Sequence, residues 1–281
     1  MNSSHPSSAP IAPSCGLAAH AACDIAGPAI DGLRRSPGPR CGEPLPTSTL
    51  KHADEQTLAV LEAVGRAVTA GGFDPASGVF RDWGVLVAPR FVGRITVGPS
   101  VQRYRAEGAW GVSPHLIPHR SLHSVSGTVS QALRSHGPNF GVGGGPGHIA
   151  EGLLAGLTLL HTRRLPGLWL VFSRLDPEQA AADAFRTDPA ATFQAVALAL
   201  VPDGTTSPYR LQLTCATSTT SEAAFELPDL RALLAGAATG VRASVGRHVQ
   251  VDIRPTPTPA VPVTGPHAFL GRSATSWREQ S

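Results

Sequence analysis

The clearest pattern of apolar and polar positions along the chain lies between residues 115 and 175. Two sets of apolar residues recur there at helical spacing, Leu122, Val125, Val129 and Leu133 in the first set and Ile149, Leu153, Leu157 and Leu160 in the second. This spacing predicts two amphipathic helices. Between them residues 139–142 predict a short strand. After them, residues 168–172 form a continuous apolar run that is typical of a strand buried on both faces.

A further helix is predicted upstream of this region, between residues 54 and 72. Asp54 and Glu55 favour its start, because acidic groups stabilise the positive end of the helix dipole. Gly71 and Gly72 end it. Its apolar stripe consists of Leu58, Leu61, Val64 and Val68. Residues 83–87 then predict a strand that is closed by Pro89.

The remaining segments give shorter signals, which together indicate the fold class. They predict, in chain order, a poor strand at 11–17, one or two helical turns at 29–35, a helix at 96–107, a loop at 114–118, a short helix at 177–185, strands at 192–201 and 209–214, a helix at 230–240 and a strand at 249–253. The two strands before and after residue 205 are joined by the polar link PDGTTSP, which suggests an antiparallel hairpin. Because helices and strands alternate through the middle of the chain, we expect an α/β protein with a mainly parallel sheet.

Composition indicates where the folded part begins and ends. Residues 1–9 are rich in serine and proline and predict a disordered N-terminus. Residues 255–281 begin with proline at nearly every second position and predict a disordered tail. We therefore expect one domain over residues 10–254, within which residues 10–50 show little periodicity.

Charge and cysteine content exclude several classes of protein. The formal net charge of +3 comes without a basic cluster larger than a pair of arginines, which argues against a nucleic-acid partner. The 4 cysteines form no CxxC pair, so we expect neither a zinc site nor a disulfide framework. The first residues lack a signal-peptide pattern, and no apolar stretch is long enough to span a membrane. We expect a cytoplasmic protein without a metal or another cofactor.

The order of the segments is similar to that of a known family. A helix ends in Gly-Gly, a GVLV strand follows, and then come PHLIPHRSLHSVSGTVSQAL, GPNFGVGGG, an apolar helix and LWLVFSRLD. Over about residues 10–215 this order resembles the N-terminal half of the β-ketoacyl synthases, which have the thiolase-like fold. The resemblance implies a mainly parallel five-stranded sheet with an antiparallel edge strand and helices on both faces.

The main departure from the family pattern falls at the nucleophile. Counting from Gly137 and Pro138, the position of the family's nucleophilic cysteine is occupied by Pro146. Condensation in this family needs a thiolate activated at a helix N-terminus, and proline supplies neither a nucleophile nor a backbone N–H. The His-Gly-Thr motif of the family's second half is also missing, since His248 and His267 are the histidines after residue 200 and neither lies in such a motif.

The glycine-rich elbow at residues 143–148 is the candidate site. Its backbone amides form either a nest that binds an oxyanion or phosphate of a substrate or a tight turn between strand and helix. The glycines concerned are Gly143, Gly144, Gly145 and Gly147. The dinucleotide-binding fingerprint G-x-G-x-x-G is not satisfied. Its last glycine is replaced by Pro146 when the motif starts at Gly141 and by His148 when it starts at Gly143. The Walker pattern fails because no lysine follows.

Three side chains near the elbow complete the set of candidates. His148, at the predicted start of the second helix, is either a neutral acid–base group or an exposed residue of the first turn. His123 is a second candidate base. Ser126 is either a substrate contact or part of a small helix face for close packing. The histidines of this region are His115, His119, His123 and His136. Because Pro118 places His119 in a loop or cap, their spacing does not predict a metal site.

Three functions are compatible with these patterns. The first is a catalytically silent subunit that acts as a partner or chain-length factor in fatty-acid- or polyketide-type biosynthesis. Its partners would be a full-length ketosynthase and an acyl carrier protein, and the chain would form a homodimer or a heterodimer. The second is an acyl-thioester enzyme, an acyltransferase or decarboxylase that uses a histidine instead of cysteine. The third is a binding module of unrelated ancestry. We favour the first, without independent condensing activity, because the elbow is present and the nucleophile is not.

Overall fold

The structure is a computed structural model that describes residues 12–35, 41, 44–114, 116–178, 190–215, 224–246 and 248–257. The predicted disordered N-terminus and most of the predicted tail lie outside these residues, as does most of the helix predicted over residues 177–185. The described strands are β1 (Ser14–Ala26), β2 (Gly84–Pro89), β3 (Asn139–Gly141), β4 (Leu168–Asp176), β5 (Thr192–Val201), β6 (Tyr209–Cys215), β7 (Val241–Gly246) and β8 (Val249–Pro255). The described α-helices are α1 (Gly27–Arg35), α2 (Thr47–His52), α3 (Glu55–Ala70), α4 (Arg94–Glu107), α5 (Leu116–Arg120), α6 (Leu122–Leu133), α7 (His148–Thr162) and α8 (Leu227–Ala235).

The eight described strands form one mixed sheet in the order β3-β2-β4-β5-β1-β6-β8-β7. Among them the pairings of β2 with β3 and with β4 are parallel, and the other five pairings are antiparallel. The α/β class is confirmed, whereas the five-stranded, mainly parallel sheet is wrong. The reason is that β6, β7 and β8 continue the sheet beyond β1, and every pairing from β4 to β7 in this order is antiparallel.

The hairpin predicted between β5 and β6 is also wrong, because β1 lies between these two strands. β1 pairs with β5 from Gly16 to Ala26 and with β6 from Ser14 to Leu17. It is longer than the poor strand predicted at 11–17, because β5 supplies a pairing partner as far as Ala26. The local sequence of a polar link cannot indicate that a distant strand enters the gap.

Helices cover both faces of the sheet, as predicted. α3 and α6 pack on one face, and α7 and α8 pack on the other. β4 and β5 lie in the middle and are almost entirely buried, as their continuous apolar sequences predict. On the α3 face, four aromatic rings pack with centroids 5.1–6.3 Å apart, most of them edge to face: Phe73, Phe80, Trp83 and Trp169.

Two long helices, α3 and α6, begin with a side-chain cap, whereas α4 and α7 follow a glycine and have none from the described residues. The Asp54 carboxylate accepts a hydrogen bond from the Gln56 N–H at 2.9 Å and caps α3. The Ser121 hydroxyl likewise accepts from the Ser124 N–H at 3.3 Å and caps α6. α7 follows Gly147, and its first amides receive no side-chain cap from the described residues.

Two predicted segments differ from the structure near the ends of the site region. The loop predicted at 114–118 is partly the helix α5, and Pro118 is its third residue, where a helix N–H has no intrahelical acceptor to lose. β7 has no counterpart among the predicted strands, and the helix predicted at 230–240 is α8 followed by a single 3-10 turn at Ala237–Thr239. Among the described helices, none is long and apolar enough to cross a membrane.

Candidate functional site at the glycine-rich elbow

The elbow lies where the chain leaves the parallel strand β3 and enters α7. Val142 extends the pairing of β3 by donating its N–H to the Val87 carbonyl at 2.9 Å. The chain then turns through Gly143 and Gly144, whose φ angles of 74° and 109° are open mainly to glycine. A Cβ on Gly143 would lie 3.0 Å from the Glu151 carboxylate. The turn therefore requires glycine for both backbone conformation and space.

The loop after β2 supports the elbow from the side. The Phe91 N–H donates to the Gly144 carbonyl at 3.1 Å. Phe91 itself has a φ of 50°, which a bulky residue adopts only when its surroundings hold it there. The guanidinium carbons of Arg94 and Arg90 lie 4.7 and 5.7 Å from the centroid of its ring. The shape of the elbow thus depends on this loop as well as on its own glycines.

Pro146 lies exposed at the corner between β3 and α7. The described cysteines lie elsewhere: Cys15 and Cys23 in β1, which three strands separate from β3, Cys41 near α3, and Cys215 at the end of β6. Burial raises the pKa of Cys15 and of Cys23 to about 12, so both thiols are neutral at pH 7. Residues 142–148 contain no Cys, Ser or Thr. The elbow therefore offers no nucleophile.

His148 is fully buried, so the interpretation of an exposed first-turn residue is wrong. The first turn of α7 faces the sheet, and the imidazole packs edge to face on Phe172 of β4, with the centroids 6.3 Å apart. Neither Nδ1 nor Nε2 has a hydrogen-bond partner among the described residues. A buried polar side chain without partners is unusual in a folded protein.

The electrostatic surroundings keep the His148 ring neutral. Burial lowers the pKa of His148 to about 4, and the positive charge of Arg90 acts in the same direction. Glu226 and the carbonyls of Gly145 and Pro146 oppose this change without reversing it. Those two carbonyls lie near the ring, but neither accepts a side-chain hydrogen bond of good geometry from it. The imidazole is therefore uncharged at pH 7.

Ser126 lies buried between α6 and β3. Its hydroxyl donates to the His123 carbonyl at 3.1 Å and lies 3.5 Å from the Asn139 side-chain oxygen. On the facing strand, a Cβ on Gly141 would lie 2.6 Å from the backbone of Leu122. These small residues allow α6 to approach β3 closely. The His123 side chain, in contrast, is exposed to solvent on α6.

The other histidines of this region do not converge on one point. His119 lies in α5 and not in the predicted loop or cap, and its ring centroid is 5.4 Å from that of His52. His136 is exposed beyond α6, and His115 lies outside the described residues. Within the described ranges, no group of three or more His, Cys, Asp and Glu side chains is placed to hold a metal ion.

An ion-pair network beside the elbow was missed by the sequence patterns. Arg90, directly after β2, pairs with Glu178 at 2.6 Å and with Glu226, and Arg174 of β4 pairs with Glu226 at 3.2 Å. These side chains are 15–34% exposed, so their charges are partly shielded from water. The sequence signal that could have indicated this network was the position of the two arginines. Arg90 and Arg174 each follow an apolar run, and these runs form β2 and β4, neighbouring parallel strands whose carboxyl ends lie side by side.

Comparison with solved structures identifies the fold. A ketosynthase in complex with its chain length factor, from Xenorhabdus doucetiae, matches with a TM-score of 0.52 and 16% identity over 85% of this chain and 99% of that chain. The fold is that of the ketosynthases. The fold resemblance inferred from the sequence is thereby confirmed.

Two further ketosynthase structures agree with this result. A type II polyketide synthase acyl-carrier protein in complex with its ketosynthase matches with a TM-score of 0.51 and 12% identity, over 69% of this chain and 64% of that chain. A β-ketoacyl synthase from Burkholderia phymatum matches with a TM-score of 0.51 and 12% identity, over 80% of this chain and 69% of that chain. No protein-family model and no curated protein matches the sequence.

Proposed function

We propose that the chain is a ketosynthase-like subunit without condensing activity, which pairs with an active ketosynthase and helps to set product chain length in polyketide- or fatty-acid-type biosynthesis. One observation carries the proposal. A ketosynthase fold retains its strand-to-helix elbow, but Pro146 stands at the corner and none of the described thiols lies near it. Without a thiolate the elbow cannot carry an acyl group, so the active cysteine must belong to a partner.

The partner ketosynthase would bind at the edge of the sheet formed by β3. β3 is the outermost strand on this side and pairs with β2 alone among the described strands. An edge strand presents unpaired N–H and C=O groups that can pair with another chain. Phe140 of β3 is 44% exposed and would be covered by the partner. The acyl carrier protein would bring the growing chain to the ketosynthase in this complex.

Co-purification from the native host tests the proposal. The chain is isolated at its natural expression level, and stoichiometric partners are identified by mass spectrometry. A β-ketoacyl synthase that retains its nucleophilic cysteine is the expected partner, and recovery of the chain without one contradicts the proposal. Reconstitution of the ketosynthase with and without the chain then tests the role in chain length, because the distribution of product lengths should change.

The β3 contact has its own test. Phe140→Asp should abolish the complex, since it places a charge at the centre of the proposed contact. Val79→Asp is the matched control, because Val79 is also an exposed apolar residue but lies in the connection between α3 and β2 and not in β3. Equal binding by both variants would remove β3 from the interface.

A second candidate function is an acyl-thioester enzyme in which His148 acts as the base. The observation that favours it is a neutral imidazole at the elbow whose nitrogens lack hydrogen-bond partners among the described residues. The amides of the elbow glycines would stabilise an oxyanion or enolate. A malonyl-thioester decarboxylation assay tests this function with His148→Gln, and with His123→Gln for the other candidate base. Turnover lost in one variant would support that histidine, and absence of turnover by the wild-type chain would exclude both.

A further inference from the structure

An exposed segment after the first turns of α4 is not used by any contact described so far. It consists of the second half of α4 and the following 3-10 turn, residues 101–110, and we call it the α4 arm. All of its residues are exposed. Trp110 is 98% exposed and Tyr104 57% exposed. Helices in proteins gain most of their stability from packing, and the α4 arm gains little from the described body of this chain.

The composition of the α4 arm is that of a protein-binding surface. Val101 and Tyr104 lie three positions apart and therefore on one side of the helix, and Trp110 follows in the 3-10 turn. Arg103 and Arg105 are the basic residues of the arm. Trp, Tyr and Arg are the residue types that most often dominate the binding energy of interfaces. Ser100, directly before the arm, is buried, so the exposure begins sharply at residue 101.

The helix that carries the α4 arm begins beside the elements that surround β3. The loop before α4 contacts the elbow through the hydrogen bond from Phe91 to Gly144. Gly93, which precedes α4, approaches α5 so closely that a Cβ there would lie 2.5 Å from the Arg120 carbonyl. α5 packs on α6, and α6 packs on β3. The contacting elements therefore run without a break from the start of α4 to the edge of the sheet, and α4 as a whole is about 21 Å long.

β3 alone offers too little surface for a stable complex. It has 3 residues and one large exposed apolar side chain, Phe140. A specific interface buries about 800 Å² on each partner, whereas one aromatic side chain contributes about 150–250 Å². From their exposed fractions, Trp110 and Tyr104 could add about 230–390 Å² to that area. A partner that pairs with β3 therefore needs a second contact, and the arm offers two large exposed aromatic side chains for it.

We propose that the α4 arm is the second contact through which the chain holds its partner ketosynthase, with Trp110 inserted as the anchor residue in an apolar pocket of that partner. Arg103 and Arg105 flank the anchor and bind acidic or carbonyl groups around the pocket. This inference rests on the proposed pairing with a ketosynthase. It adds that the residues of this chain that contribute most of the binding free energy lie in the α4 arm, outside both the elbow and β3.

The test measures the affinity of the full-length chain for the co-purified ketosynthase. Trp110→Ala should weaken binding at least tenfold, as expected for a central tryptophan of an interface. Leu154→Ala is the matched control, because Leu154 is an exposed apolar residue of α7 outside the α4 arm, and it should bind as the wild type does. Because the Trp110 side chain is almost wholly exposed, Trp110→Ala should unfold at the wild-type temperature, so a loss of binding cannot be attributed to misfolding.

The outcomes separate this inference from the proposed function. If the wild-type chain binds the ketosynthase and Trp110→Ala binds equally well, the arm is not the anchor, although the pairing stands. If the wild-type chain binds no ketosynthase, both proposals fail. If Trp110→Ala abolishes self-association of the isolated chain in sedimentation experiments but leaves ketosynthase binding intact, the arm binds a second copy and the assignment to the ketosynthase is wrong.

Discussion

Acid should destabilise the folded chain through His148. Burial lowers the pKa of this residue to about 4 in the folded state, whereas a histidine in an unfolded chain titrates near pH 6.5. The unfolded state therefore binds the proton at a higher pH, and stability that is present above pH 6.5 is lost as the pH falls toward 4. A pKa difference of about 2.5 corresponds to a free energy of about 3 kcal/mol. That is a substantial part of the roughly 5–15 kcal/mol by which a domain is stable.

Urea unfolding of the wild-type chain and of His148→Leu at pH 7 and at pH 4.5 measures this effect. Asp252, whose pKa is lowered chiefly by hydrogen bonds from Arg254 and Arg242, also loses stabilising interactions in acid, but its contribution is common to both proteins and cancels. The free energy of unfolding of the wild type should fall by about 2–3 kcal/mol more than that of the variant.

A neighbouring substitution separates titration from packing. Ile149→Val removes one methyl group from another buried residue of the same helix turn and should cost about 1 kcal/mol at both pH values. If the free energy of unfolding of the wild-type chain and of His148→Leu falls by the same amount between pH 7 and pH 4.5, the pKa of His148 is the same in the folded and unfolded states. The argument from burial would then be refuted.

Two further pairs of variants test the packing and the ion pairs around the site. Gly152→Ala should destabilise by about 1–3 kcal/mol in thermal unfolding, because its Cβ would lie 2.6 Å from the Phe172 ring. The same change at Gly127 of α6 meets no atom within 4 Å and should stabilise by about 0.5–1 kcal/mol. Arg90→Met leaves Glu178 and Glu226 without this partner and should cost about 2 kcal/mol in urea unfolding. Arg231→Met, at a more exposed ion pair, should cost less than about 1 kcal/mol; equal costs would contradict the role of shielding.

The elements that the sequence predicts well are those whose own pattern determines their burial. α7 is an example, since Leu153 and Leu157 repeat at helical spacing and both are completely buried against the sheet. β4 is another, because a run of apolar residues bounded by a glycine and an acidic residue has few alternatives to a central strand. The elbow between β3 and α7 is predicted for the same reason, as Gly143 and Gly144 adopt backbone angles that other residues avoid.

The features that escape prediction depend on contacts between distant segments. His148 is one residue away from the predicted start of its helix, yet its burial depends on which side of the first turn faces Phe172. The charges near it come from three separate segments, and the pairing of Arg90 with Glu226 joins positions 136 residues apart. The order of the strands in the sheet cannot be predicted for the same reason, because the residue pattern within a strand does not indicate which strands pair with it.

The central position of β1 has a consequence for how the chain acquires its structure. Gly16 pairs with Val201, and Ser14 pairs with Gln212, so this strand must find neighbours encoded far along the chain. Contacts of such long sequence separation form slowly, because a large loop must close, at a cost in entropy, before the contacts contribute any stabilising free energy. Without β1, the strands β3-β2-β4-β5 and β6-β8-β7 share no pairing in the described sheet. Folding should therefore be slow, and β1 is the strand that joins the two parts of the sheet.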